Sequence, residues 1–240
     1  MIMSFEGKVA VIIGGTSGIG LRVAERIVES GGEVILGSRT EEKIKAALQR
    51  LGPKAKGYPI DNRDKESIAA FFAKIEKFDH LFTPGASYGR GAIDKISDEL
   101  AESPFKSKFW GQYWAVKHSI GRLSKTGSIV LMSGAASVRP IPEAAAYAAC
   151  NGAIESLGKA LAVELAPIRV NVVSPGTIDS DLWQRLDEKI RNDAFQGYSE
   201  QALLKRVGTV DEVAQTVTFL LSNGYMTGST VYPDGGYALR

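Results

Sequence analysis

The chain has 240 residues, 44% of them apolar and 23% charged, which is enough for one α/β domain with a full core and matches an ordinary soluble globule. Its net charge of +2, with Lys and Arg scattered, argues against a nucleic-acid or membrane surface. No apolar run reaches membrane-spanning length, the N-terminus MIMSFEGKVAV lacks the layout of a secretory leader, and a lone cysteine, Cys150, cannot close an internal disulfide, so a reducing cytoplasm is the expected location.

In chain order, short β-branched runs alternate with longer helical stretches. KVAVIIG (8–14), EVILGS (33–38), AKGYPI (55–60), DHLFTP (79–84), SIVLMS (128–133) and RVNVVS (169–174) read as strands. Their nearly continuous apolar character suits strands covered on both faces. Helices are expected at about 18–30, 40–50, 64–77, 98–122 and 143–166. This alternation implies an α/β fold: a parallel, doubly wound sheet in three layers with right-handed crossovers, in a single domain spanning 1–240. Residues 178–206 break the rhythm, being long, polar and partly helical, and follow the C-terminal end of a strand, where ligands bind in such folds. They read as a substrate lid, with Leu182, Trp183 and Phe195 as its apolar side chains.

The first strand runs into VAVIIGGTSGIG, which places Gly14, Gly18 and Gly20 at a strand-to-helix junction. Glycines permit the tight turn and a close approach of backbone to a pyrophosphate, and the helix start adds N–H donors and the positive end of its dipole. Thr16, Ser17 and Ile19 complete this cofactor-binding turn. After the second strand, where a fold reading NAD places an acid, this chain has Ser38, Arg39 and Thr40. A hydroxyl and a guanidinium suit a 2′-phosphate, so the expected cofactor is NADPH.

With these pieces, ID (60–61), RVNVVSPGTIDS (169–180) and MTGSTVYPDGG (226–236), the sequence resembles the short-chain dehydrogenase/reductase family over essentially its whole length. The resemblance implies a Rossmann-type sheet and a homotetramer. It implies Asp61, with Asn62, near the adenine, Pro84 and Gly85 along the cofactor, and Pro175, Gly176, Ile178 and Ser180 around the nicotinamide. The expected partner is a small-molecule carbonyl substrate, with no nucleic-acid, membrane or metal partner.

The departures lie after strand four, where the family usually shows Asn-Asn-Ala-Gly and this chain has TPGA (Thr83 to Ala86), and at the catalytic positions. The Tyr is present as Tyr147, but the Lys expected four residues later is Asn151. The Ser expected thirteen residues before the Tyr is Gly134, with Ser133 the nearest hydroxyl, and the helical Asn three residues before Gly111 is Lys108. A second pair, Tyr113 and Lys117, has the right spacing in YWAVK but precedes the strand that should carry the Ser. It reads as part of a packing helix.

Carbonyl reduction needs a proton donor, and a free tyrosine, with a pKa of about 10, serves once a nearby cation stabilises its phenolate. Asn151 has no charge, although its amide suits the ribose hydroxyls. Lys108 either reaches in from the neighbouring helix to replace that charge or belongs to the solvated lysines of FKSKF. Ser133 or a backbone donor would orient the carbonyl. Two readings follow. The first is an NADPH-dependent reductase of a small or medium carbonyl compound, with Tyr147, Ser133, Lys108 and Asn151 as its catalytic group. The alternative is an NADPH-binding protein with little turnover that enhances the fluorescence of bound NADPH.

Overall fold

The computed structural model describes residues 4–84 and 89–239. The six expected strands are present as β1 (Val9–Ile13), β2 (Glu33–Ser38), β3 (Ala55–Pro59), β4 (Phe78–Thr83), β5 (Leu123–Met132) and β6 (Arg169–Val173). They join one parallel seven-stranded sheet in the order β3-β2-β1-β4-β5-β6-β9. The seventh strand, β9 (Thr230–Val231), is only two residues long and carries no periodic signal of its own. A separate small ladder pairs β7 (Ile178–Asp179) with β8 (Gly208–Thr209).

Helices cover both faces of the sheet. On one side α1 (Gly18–Glu29), α2 (Glu41–Leu51) and α8 (Val210–Ser222) bury a core built around Ile12, Val23, Ile27, Leu36, Val217 and Leu221. On the other lie α3 (Lys65–Ala73), α5 (Trp110–Ser119) and α6 (Ala145–Glu164), against Val11, Phe71, Phe72, Leu81, Ile129 and Ile154. Each such side chain contributes roughly 1.5–3 kcal/mol by leaving water. The helix α8 was not anticipated, yet its start carries a full capping box between Thr209 and Glu212, and its inner face buries Val213, Ala214, Val217, Leu220 and Leu221. The 178–206 segment holds a short helical turn (Trp183–Arg185) and α7 (Glu188–Gln201), none of whose residues is buried.

The helix read over 98–122 is three pieces: α4 (Asp98–Pro104), one π-helical turn (Phe105–Phe109) and α5. Pro104 has no N–H to give, so the regular ladder is interrupted there. The inserted π turn rotates Lys108 inward. Gln112, one turn on, pins this helix to the sheet by bonds to Thr83 and to both backbone groups of Met132. The sheet order reverses between β1 and β4, which opens a crevice beyond their C-terminal ends.

Candidate active site

That crevice is a cavity of about 1020 Å³. At its inner end lies the β1–α1 turn. Gly14 takes φ 88°, and a side chain on Gly20 would sit 2.3 Å from the Gly14 carbonyl oxygen, so only glycine fits. Thr16, Ser17, Gly18 and Ile19 line the wall, and the Thr16 hydroxyl donates to Ser38 at 3.0 Å, joining this turn to the end of β2. The Gly18 N–H donates to a carboxylate oxygen of Asp181 at 3.0 Å, so the start of α1 already holds an anionic oxygen. A turn without side chains and a helix end that accepts an anion fit a dinucleotide pyrophosphate.

Ser38, Arg39 and Thr40 follow along the wall, with Lys43 from the first turn of α2. Among the described residues no hydrogen bond or ion pair holds the Arg39 guanidinium, although its charge bears on Asp61. The sequence reading missed Lys43; its place one turn inside α2, beside Arg39, was the available signal. Asn62 and Pro84 lie on the wall, and the Asn62 amide also donates to the Ser107 carbonyl at 3.0 Å, tying the β3–α3 loop to the π turn. Pro175, Gly176, Ile178 and Ser180 line the far side. Gly85 lies outside the described residues.

Tyr147 stands on α6 at the centre of the cavity wall. Lys108 enters from the π turn, only 2% exposed, with its ammonium 5.0 Å from the centroid of the Tyr147 ring. It donates to the Asn151 Oδ1 at 2.6 Å and to the Ser133 carbonyl at 2.8 Å. The amide and the ammonium, 43 residues apart in the chain, are thus one unit behind Tyr147. Lys108 is not one of the solvated lysines; Lys106 is, exposed and paired with Glu102 at 2.6 Å.

A family model described as Enoyl-(Acyl carrier protein) reductase matches residues 14–238. The chain is 30% identical to "Short-chain dehydrogenase/reductase ucsE" of an Acremonium species, over 96% of this chain and 95% of that protein. It is also 30% identical to the 3-oxoacyl-[acyl-carrier-protein] reductase FabG of Aquifex aeolicus, over 98% of this chain and 99% of that protein. Among solved structures, a small-chain dehydrogenase in complex with NADPH superposes with a TM-score of 0.81 at 31% identity, covering 97% of this chain and 99% of that one. The chain belongs to the short-chain dehydrogenase/reductase family. As an oxidoreductase of that family it uses a nicotinamide cofactor, and the glycine turn described above is the cradle that fits one.

Within the short-chain dehydrogenase/reductase frame, three expectations are corrected by the geometry. The Ser133 hydroxyl, expected to orient a carbonyl, faces α6 instead: it lies 2.9 Å from the Asn151 carbonyl oxygen and 3.1 Å from Glu155. Strand alternation is the reason, since it is position 134 that faces Tyr147. A Cβ there would lie 3.3 Å from the Tyr147 hydroxyl, and glycine leaves that place bare. Asn151, expected at the ribose, is fully buried and off the cavity wall, because its short side chain ends at Lys108; its Nδ2 has no protein partner among the described residues. Asp61, expected beside the adenine, turns back onto Arg63, which grips both carboxylate oxygens and holds the group below the usual carboxylate range.

Tyr113 and Lys117 stay away from the cavity. Tyr113 packs edge-on against Trp114, and the Lys117 ammonium lies 5.3 Å over the Trp114 ring. Cys150 is buried, donates to the Pro104 carbonyl at 3.3 Å, and has its thiol pushed up by burial. Among the described residues no helix is long and apolar enough to cross a membrane.

Proposed function

We propose that this oxidoreductase reduces a small or medium carbonyl compound with NADPH, Tyr147 giving the proton and Lys108 supplying the charge that Asn151 lacks. The observation that carries this reading is the buried Lys108 ammonium, set 5.0 Å over the Tyr147 ring and steered there by Asn151 and Ser133. A bound reduced nicotinamide supplies the hydride. Tyr147 then hands its proton to the carbonyl oxygen, and the adjacent ammonium stabilises the phenolate that remains. With the Ser133 hydroxyl engaged elsewhere, orienting the carbonyl falls to Tyr147 and to backbone donors of the neighbouring loop.

Arg39 and Lys43 support the choice of NADPH, as two cations on the wall where a 2′-phosphate would lie, and a family member solved with NADPH fits the same choice. The 178–206 segment is the lid: Leu182, Trp183, Leu186 and Tyr198 close the cavity with apolar and aromatic surface, and Trp183 packs on Phe195 at 5.2 Å and on Tyr198 at 6.0 Å. That surface favours an apolar substrate body around the reacting carbonyl. The exposed aromatic face of α5, where Trp110 stacks on Trp114, supports assembly into the expected tetramer, and the charge and composition support a cytoplasmic location. The fluorescent-binder alternative uses the same cradle but gives Lys108 no task.

The test is NADPH oxidation, followed optically, against a panel of aliphatic and aromatic ketones and aldehydes. Turnover of at least one compound, lost in Tyr147→Phe, is the expected result. No turnover of any compound, together with tight NADPH binding and enhanced nicotinamide emission, would favour the binder instead.

A further inference from the structure

A buried ammonium requires a compensating charge, and among the described residues no carboxylate lies within ion-pair distance of Lys108. The carboxylate connected to it is Glu155, which lies one helical turn beyond Asn151 and two beyond Tyr147 on α6. Four hydroxyls from three separate segments converge on Glu155. Oε1 accepts from Ser137 at 2.5 Å and from Ser174 at 3.0 Å, and Ser133 lies at 3.1 Å; Oε2 accepts from Tyr232 at 2.8 Å. Ser133 has one hydroxyl proton, which is shared between Glu155 and the Asn151 carbonyl. Its own carbonyl receives the Lys108 ammonium.

We infer that Glu155 is a positioning residue for the Lys108 ammonium, fixing through Ser133 the carbonyl that grips it and supplying the negative charge that balances it. Only one residue, Ser133, stands between the carboxylate and the ammonium. Asn151 closes the ring from the other side, since its carbonyl meets the Ser133 hydroxyl and its amide oxygen meets Lys108. The same carboxylate holds Ser174, the residue before Pro175-Gly176, and Ser137, at the end of the turn that carries Ala135 and Ala136 on the cavity wall. One side chain thereby sets the relative places of the Lys108 acceptor, the nicotinamide loop and the substrate-side turn.

The other ionisable groups of the neighbourhood leave Glu155 in this role. Tyr232 is pushed up to about 12, by burial first and then by its bond to Glu155, and so remains a neutral donor. The Asp234 carboxylate is held by the backbone N–H groups of Gly236 and Ala238. Cys150 faces the end of α4, donates to Pro104 and feels the Lys108 charge, and Tyr147 presents its ring face to the ammonium.

This inference rests on the role given to Lys108 above, and the test separates the two. Glu155→Gln keeps the shape and removes the charge; Glu155→Asp keeps the charge. In the NADPH-dependent reduction of the best ketone of the panel, Glu155→Gln should lower kcat at least tenfold and move the alkaline limb of the pH profile to lower pH, because removing a negative charge disfavours the protonated forms of the groups around it. Glu155→Asp should restore most of both, with KM for NADPH unchanged. A second readout needs no turnover: the slowly exchanging ammonium signal of Lys108 in nitrogen-15 NMR, assigned by its loss in Lys108→Met. It should persist to higher pH in the unmodified protein and in Glu155→Asp than in Glu155→Gln. If the unmodified protein turns over no ketone, the reductase reading fails while the ammonium measurement still decides the role of Glu155. Coincident pH ranges for the signal in the unmodified protein and in Glu155→Gln would overturn the inference. So would a Glu155→Gln variant that loses only thermal stability and keeps its kcat and pH profile.

Discussion

Lys108 has three N–H donors and finds two oxygen acceptors, Asn151 Oδ1 and the Ser133 carbonyl; the Tyr147 ring lies beside it. A desolvated ammonium over an aromatic face contributes about 2 kcal/mol, so this arrangement holds the cation against the ring whose phenolate it would stabilise. Replacing Lys108 by Met keeps the stem and removes the charge. Turnover should fall about 10²-fold or more, the scale of acid–base assistance, while NADPH affinity should stay within a few-fold, since the proposed phosphate contacts are at the glycine turn and Arg39, away from Lys108. Steady-state kinetics and cofactor titration check both halves, and an unchanged kcat would remove Lys108 from the chemistry. Because positions 108 and 151 are in direct contact, their effects should couple: Lys108→Asn with Asn151→Lys should recover more activity than either change alone. Simple additivity of the two single effects would count against the pairing.

The start of α1 illustrates how an element sets chemistry. Ser17 provides no side-chain cap, and the free Gly18 N–H is met by Asp181 from the 178–206 segment. A pyrophosphate arriving at this helix end has to displace that carboxylate. Asp181→Asn should therefore tighten NADPH binding by roughly 2- to 5-fold, the worth of one anion at a helix start. Calorimetric titration tests this, and equal or weaker binding would show that Asp181 does not compete. At the other end of the sheet, His80 on β4 is buried against the Phe5 ring, and its Nδ1 meets Ser128 of β5 at 2.8 Å. The Ser128 hydroxyl donates to the Leu221 carbonyl, so His80 Nδ1 carries the proton of their shared bond. Burial pushes this histidine down to about 4 from 6.5. Between those values the unfolded chain binds a proton that the folded chain refuses, so the contribution is intact above pH 6.5 and is lost as the pH falls toward 4. The loss amounts to roughly 3 kcal/mol. Denaturant unfolding over that range should show the slope in the unmodified protein and a flatter one in His80→Gln. Parallel slopes would assign the acid sensitivity elsewhere.

Across the whole molecule, the reversal of strand order between β1 and β4 gathers the site segments beyond the C-terminal ends of the strands. Cofactor binding should accordingly stabilise the fold as a unit. On the proposed preference, NADPH at a hundred times its dissociation constant should add about 2.7 kcal/mol, and NADH at the same concentration, if bound tenfold more weakly, about 1.4. Arg39 is the basis for that tenfold, since one charge-assisted contact is worth about 1.4 kcal/mol. NADPH should raise Tm more than NADH does, and Arg39→Asp should reverse the order. Equal shifts from the two cofactors in the unmodified protein would refute the preference.

What the sequence determined by itself is local. The strands and the first helices were legible because apolar periodicity is written within a few residues, and the β1–α1 turn because a left-handed φ and a 2.3 Å approach admit only glycine. The helix α8 carries its cap, TVDE, as a local signal, but β9 is too short to announce itself. Only the tertiary structure decided the centre of the site. Nothing local shows that the π turn after Pro104 brings Lys108 to an amide 43 residues away, that Ser133 faces Glu155 while Gly134 faces Tyr147, or that Asp181 reaches a helix start 163 residues earlier. Periodicity reports which face of an element is buried. Which polar group waits on the opposing element is set by how the elements cross, and a buried charge or hydroxyl takes its orientation from that partner.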